Sequence, residues 1–165
     1  MMHMHRFDFT GRRVQIYELI QNLTSKDRRL INICGPQGVG KTAMVLQTAH
    51  FLAFRTEYEF TADGILYSDM RDVATTQQFK DKIRESMIEA NLIDEKDEIG
   101  NYLKKENQSL HIFDNVESII NNKGEFDWNI VNLLKVYENM RIIVISRNEL
   151  KYDDMESVED LLLVK

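Results

Sequence analysis

The sequence predicts a three-layer α/β fold, in which a five-stranded parallel sheet carries helices on both faces. Short apolar runs recur along the chain, each separated from the next by a segment of helical periodicity, and strands that alternate with helices join in parallel through crossover connections. One of these runs, RIIVIS at 141–146, holds four consecutive β-branched residues, the composition of a buried strand. A length of 165 residues suits one domain around a single sizeable core.

Each element follows from a local pattern. Residues 12–23 place Val14, Ile16, Tyr17, Leu19, Ile20 and Leu23 at helical spacing, predicting an amphipathic helix. A loop through Ser25 leads to residues 30–34, an apolar run flanked by charge and glycine that reads as a buried strand. Residues 41–54 are apolar on nearly every face, so this helix is expected to be buried. GILYSDM at 64–70 is the second strand; Thr75 and Gln78 then form a capping box ahead of Phe79, Ile83, Met87 and Ile88. A short helix is expected over 94–105, a third strand in SLHIFDN at 109–115, and a helix capped by Asp127 that carries Trp128, Val131, Leu134 and Tyr137. The 141–146 strand follows, and residues 161–164 supply the fifth.

Composition narrows the function classes. A formal net charge of −6 argues against a protein that wraps nucleic acid, which needs clustered Lys and Arg to displace counterions. With 43% hydrophobic and 29% charged residues the chain falls among ordinary soluble proteins. A single cysteine, Cys34, excludes an internal disulfide, and no run is long enough for a membrane span or a signal peptide. A cytoplasmic protein is expected, with no membrane or direct nucleic-acid partner. His3 and His5 belong to an N-terminal segment, residues 1–8, expected to fray rather than to bind metal.

The chain has only seven glycines, yet ICGPQGVGKTAM at 33–44 holds three of them. Gly35, Gly40, Lys41 and Thr42 match G-x-x-x-x-G-K-[ST] between a strand and a helix start, the setting of a phosphate-binding loop. Such a loop must turn successive backbone N–H groups toward phosphate oxygens, which demands conformations that glycine adopts without cost. The stretch Gly35, Pro36, Gln37, Gly38, Val39, Gly40, Lys41, Thr42 and Ala43 is therefore the expected nucleotide cradle, reinforced by the positive end of the following helix. Lys41 is expected on the β- and γ-phosphates and the Thr42 hydroxyl on Mg²⁺.

Such a site also needs a carboxylate at a neighbouring strand end to hold the metal. Asp69 and Asp114 are the two candidates. Asp114 is favoured: it ends an apolar run and precedes Asn115 and Glu117, polar groups suited to positioning a water. The alternative, Asp69, places the metal-facing acid on the strand beside the loop strand, as in small-molecule kinases. NKGE at 122–125 nearly matches the N-K-x-D guanine signature, but it ends in Glu125 and has no strand before it, so adenine is expected.

With the phosphate loop, the Asp114 strand and RIIVISR in this order, the chain resembles the STAND class of P-loop NTPases, which includes the NB-ARC ATPases of immune and apoptotic switches. FTGRR at 9–13 resembles the family's F-x-G-R element, whose backbone lies along adenine and which would bring in Gly11 and Arg12. GPQGVGKT is similar to its phosphate loop, LHIFDNVE to its metal-binding strand, and RIIVISR to the strand ending in a γ-phosphate-sensing arginine, here Arg147. On the residues alone, Arg12 is equally a solvated charge at a helix start and Arg147 a surface residue past a strand end.

The resemblance covers about residues 9–164. It also implies a helical lid and a winged-helix domain that residues 9–165 do not contain, so an ATPase core without them is expected, with protein partners or following regulatory domains. Asn115 stands where the NB-ARC branch commonly has a second aspartate; an amide is no proton acceptor, and the role falls to Glu117. The expectation is a switch that binds ATP or ADP with Mg²⁺ and hydrolyses ATP slowly through Lys41, Asp114, Asn115, Glu117 and Arg147. A metabolic kinase, disfavoured because no basic cluster follows Glu117, and a module that holds nucleotide without hydrolysis are the alternatives.

Overall fold

A computed structural model of the chain describes residues 11–25, 28–55, 57–96, 108–119 and 133–150, together with the backbone of 162–164. Helix α1 (Arg13–Thr24) leads into β1 (Leu30–Cys34) and α2 (Lys41–Ala53). Then follow β2 (Gly64–Asp69), α3 (Thr76–Glu89), β3 (Ser109–Asp114), β4 (Arg141–Ser146) and β5 (Leu162–Val164). Short 3₁₀ turns occupy Glu59–Thr61 and Val116–Ile119, and residues 133–136 are helical.

The sheet is parallel throughout, in the order β2-β3-β4-β1-β5. Four strands of five or six residues make its body; the expected fifth strand is reduced to β5, three residues paired with Ile31, Asn32 and Ile33 at the edge. Both faces are covered, which is why LINIC in β1 carries apolar residues toward both faces, with Asn32 the one polar exception. Leu30 joins Phe79, Ile83, Met87, Phe113 and Ile142 on the α3 side. Ile31 and Ile33 join Leu19, Leu23, Met44 and Val45 on the side of α1 and α2. One polar side chain lies deep within β3: His111 is buried and within 3.1 Å of the Ser109 hydroxyl, and burial pushes its pKa down to about 4, keeping the ring neutral.

The local signals set the helix starts. Thr75 Oγ1 accepts from the Gln78 N–H at 3.2 Å while Gln78 Oε1 accepts from the Thr75 N–H at 3.1 Å, the reciprocal capping box read from the sequence. Helix α1 departs from expectation: Leu19, Ile20 and Leu23 are buried, but Val14 and Tyr17 are 66% and 63% exposed. Its inward stripe thins toward the N-terminus, where Ile16 is only partly buried against the same core. Residues 94–96 form no helix; the remainder of the expected 94–105 helix, the Asp127 cap with Trp128 and Val131, NKGE, and His3 and His5 lie outside the described residues. No helix among the described residues is long and apolar enough to cross a membrane.

The strand register brings the chemistry to one rim. Cys34 pairs with Ser146, and Asp69 with Asp114. The phosphate-loop strand β1 lies beside β4, and β4 separates it from β3.

Candidate functional site

The loop from Gly35 to Thr42 leaves β1 and enters α2. Gly38 and Gly40 hold φ of +83° and +85°, with Gly40 serving as the left-handed N-cap of α2. A Cβ on Gly38 would meet nothing within 4 Å, so backbone conformation rather than space requires glycine there. The first N–H groups of α2 have no partner within the helix and point to the same concavity as the loop. Lys41 Nζ donates to the carbonyls of Gly35 at 2.7 Å and Pro36 at 2.9 Å, which holds its ammonium across the mouth of the loop. From outside, the Arg12 guanidinium donates to the Val39 carbonyl, so the residue after Gly11 is tied to the loop.

Asp114 faces this loop from the end of β3, one strand removed. Its side chain is 3% exposed. Oδ2 accepts from the Thr42 hydroxyl at 2.8 Å and from the Tyr67 phenol at 3.0 Å, and Oδ1 accepts from the Asn115 N–H at 2.8 Å. Burial and the neighbouring carboxylate raise the Tyr67 pKa, so the phenol remains a donor.

Asp69, the other acid of the sequence reading, has different partners. Arg71 Nε donates to its Oδ2 at 2.9 Å and Asn115 Nδ2 to its Oδ1 at 2.9 Å. The Arg71 hydrogen bonds, outweighing partial burial, bring its pKa down to about 2. Asn115 takes φ of +57°, a left-handed conformation that asparagine tolerates better than most residues. Its amide is thereby turned to Asp69 rather than to the loop.

Glu117 lies in the 3₁₀ turn after β3. Its Oε1 accepts from the Arg147 N–H at 2.8 Å and stands 3.7 Å from Arg147 Nε. The Arg147 side chain is 61% exposed. A cavity of about 320 Å³ joins the Gln37–Ala43 side of the loop to Asp114, Asn115, Glu117 and Arg147. Gly11, Arg12, Gly35, Pro36 and Val39 are not in its wall; Arg12 connects to it through the Val39 carbonyl alone.

Two contributors carried no motif. Tyr67 sits inside an apolar strand signal and shows its role only through the β2–β3 register. Asn32 is fully buried in β1: Nδ2 donates to the Ser146 hydroxyl at 2.9 Å and the Val144 carbonyl at 3.3 Å, and Oδ1 accepts from the Leu150 N–H at 3.2 Å. It pins the loop that carries Arg147. Asn32 is the sole polar residue in LINIC, and that anomaly was the signal available.

An eight-residue loop of amides, an ammonium, and a hydroxyl–carboxylate pair on one rim of a parallel sheet define the P-loop NTPase type of fold. The comparisons agree at that level. No protein-family model matches the chain, and no curated protein matches it in sequence. Among solved structures it is similar to one of Drosophila ORC bound to DNA, at 15% identity and a TM-score of 0.63, covering 94% of this chain and 42% of that one. A structure of C. elegans PCH-2 aligns at 15% identity and a TM-score of 0.46, covering 92% of this chain and 41% of that one. The chain thus spans about two fifths of either protein's length. What it shares with the ORC structure is the fold, which does not single out the STAND or NB-ARC group.

Proposed function

We propose that residues 9–165 form the Mg²⁺-dependent adenine-nucleotide-binding core of a switch ATPase, in which binding carries the signal and turnover is slow. The observation that carries this reading is the 2.8 Å contact between Thr42 and Asp114, which joins the helix after the phosphate loop to a carboxylate one strand away. A hydroxyl and a carboxylate are oxygen donors of the kind Mg²⁺ takes alongside phosphate oxygens and water, so the residues fit the ion. Mg²⁺-bound ATP would supply the transferable phosphoryl group and the charge that the site is built to meet.

This chain's own residues divide the work. The loop amides and Lys41 meet the phosphate oxygens, Thr42 and Asp114 hold the ion, and Arg147 supplies positive charge from β4. Glu117 is the acceptor for a water proton, but it is engaged by the Arg147 backbone. Asn115 is no base and is turned to Asp69. These two restraints support slow turnover. The order of blocks, with Arg12 tied to the loop through the Val39 carbonyl, supports the NB-ARC-like reading over a kinase, and with it protein partners or regulatory domains that respond to ATP against ADP. The ORC structure is bound to DNA; the acidic balance of this chain, −6, supports no such partner here.

Titration with ATP and ADP, with Mg²⁺ and with a chelator, tests the reading on wild type, Asp114→Asn and Asp69→Asn. Asp114→Asn is expected to abolish the gain in affinity that Mg²⁺ brings, while Asp69→Asn keeps it. No nucleotide binding by well-folded protein, or a requirement for Asp69 alone, overturns the proposal. A second reading, a nucleotide holder that never hydrolyses, is favoured by the turned-away Asn115 amide; phosphate release by Asn115→Asp and Glu117→Gln decides between them.

A further inference from the structure

Tyr67 belongs to no phosphate-site motif, yet among the described residues it is the side chain outside the proposed ligand set that hydrogen-bonds to the metal-facing carboxylate. It stands on β2, the outer strand, two residues before Asp69. Its partly buried ring packs on the α2 side of the sheet, in the wall of an apolar groove shared with Ala49, Ala53 and Ile65. From there the phenol reaches Asp114 Oδ2 at 3.0 Å, the same oxygen that Thr42 contacts at 2.8 Å.

The terminal torsion of an aspartate is broad, so hydrogen bonds rather than rotamer wells set the plane of its carboxylate. At Asp114 the Asn115 N–H holds Oδ1. Among the described residues two groups hold Oδ2, and one of them, Thr42, must offer its oxygen to the ion when the site is loaded. Its grip on Asp114 is then shared or lost. The phenol has no such second duty: it is anchored by its ring, donates one proton, and leaves the remaining lone pairs of Oδ2 available.

We propose that Tyr67 is a positioning residue that holds the plane of the Asp114 carboxylate for Mg²⁺, so that the affinity of the nucleotide complex for the ion depends on a phenol in the outer strand. This rests on the reading of the site as a Mg²⁺–nucleotide site. The distinctive consequence is selectivity of effect: losing the phenol weakens Mg²⁺-dependent binding and leaves Mg²⁺-free nucleotide binding alone, because the phenol contacts neither the loop nor Lys41.

The experiment titrates ATP into wild type, Tyr67→Phe, Asp114→Asn and the double variant, once in chelator and once across a Mg²⁺ series, with a melting curve for each. Tyr67→Phe keeps the ring. It is expected to raise the Mg²⁺ midpoint about tenfold, the size of one hydrogen bond to a charged group, with affinity in chelator unchanged, and to add nothing once Asp114 is asparagine. The ratio of affinities with and without Mg²⁺ is independent of the folded fraction, so a less stable variant still decides the question. An unchanged midpoint in Tyr67→Phe, or equal losses in Mg²⁺ and chelator, overturns the role of Tyr67 while the nucleotide site stands. Wild type that binds no ATP overturns both, and wild type that binds ATP indifferently to Mg²⁺ overturns the metal reading on which Tyr67 depends.

Discussion

At the C-terminal rim of the sheet Lys41 donates to two carbonyls of its own loop, and at the N-terminal rim Arg29 donates to the carbonyls of Leu134, Tyr137 and Glu138. Both rims enclose a cavity, about 320 Å³ above and about 420 Å³ below. The larger one holds two arginines, Arg29 and Arg141, each held by other groups. Arg29 is spent on the carbonyls that end helix 133–136, where a cation satisfies unpaired acceptors and the helix dipole together. The Arg141 guanidinium lies 4.6 Å from the centre of the Phe60 ring, and Glu57, Glu59 and Glu138 share the cavity wall. Burial lowers the pKa of both arginines, and for Arg141 the neighbouring Arg29 charge adds to it. Above, by contrast, the cation is carried by a flexible stem and the surrounding donors are loop and helix-start amides without helical partners. The two rims thus differ in the kind of donor they offer, backbone amides above and guanidinium groups below, more than in cavity size or formal charge.

Substitution of the two cations is the severest test of that contrast. Lys41→Ala is expected to weaken ATP binding by about a hundredfold, or ~3 kcal/mol, the upper end for hydrogen bonds to charged groups, with little change in melting temperature. Calorimetric titration checks it, and an equal loss of affinity in Arg29→Ala would erase the distinction between the rims.

The pH dependence of stability sharpens the point about burial without counter-charge. Burial holds the pKa of His111 at about 4 in the folded chain against the ordinary 6.5 of an exposed imidazole, so the unfolded chain binds the extra proton between those values. Its contribution is fully present above pH 6.5 and is lost as pH falls toward 4, amounting to about 3 kcal/mol over that window. Urea unfolding from pH 7 to pH 4 measures the slope. His111→Leu should flatten it, and an unchanged slope in that variant would move the pH dependence elsewhere.

Arg29→Met should have the smallest effect, lowering stability by about 1–2 kcal/mol through the exposed helix end while leaving ATP affinity as in wild type. Thermal melts paired with nucleotide titration separate the two outcomes.

The parts of the site legible in the sequence are those whose cause is local. Gly38 and Gly40 announce the loop because the backbone itself needs positive φ there, and Thr75 with Gln78 announces α3 because a cap closes within one turn. The apolar run before Asp114 made it the preferred acid, but the difference in partners came to view only in space: Asp114 meets Thr42, while Asp69 is committed to Arg71 and Asn115. Arg147 was proposed from the strand before it, whereas its tie to Glu117 spans 30 residues and left no trace in spacing. The inward stripe of α1 was overestimated, because periodicity marks a face without saying how far along the helix a neighbour extends.

The amino-acid sequence by itself determined that a glycine-bearing turn, a lysine and a threonine stand between a buried strand and a buried helix, because those residues act on the backbone next to them. Tertiary structure alone decided which acid meets Thr42, that Tyr67 reaches that acid and Asn32 the Ser146 hydroxyl, and that one rim gathers the phosphate loop and Asp114 while Arg29 braces the other. Those outcomes depend on strand order and register, which join residues 47 to 118 positions apart and are settled by packing over the whole sheet rather than by any local preference.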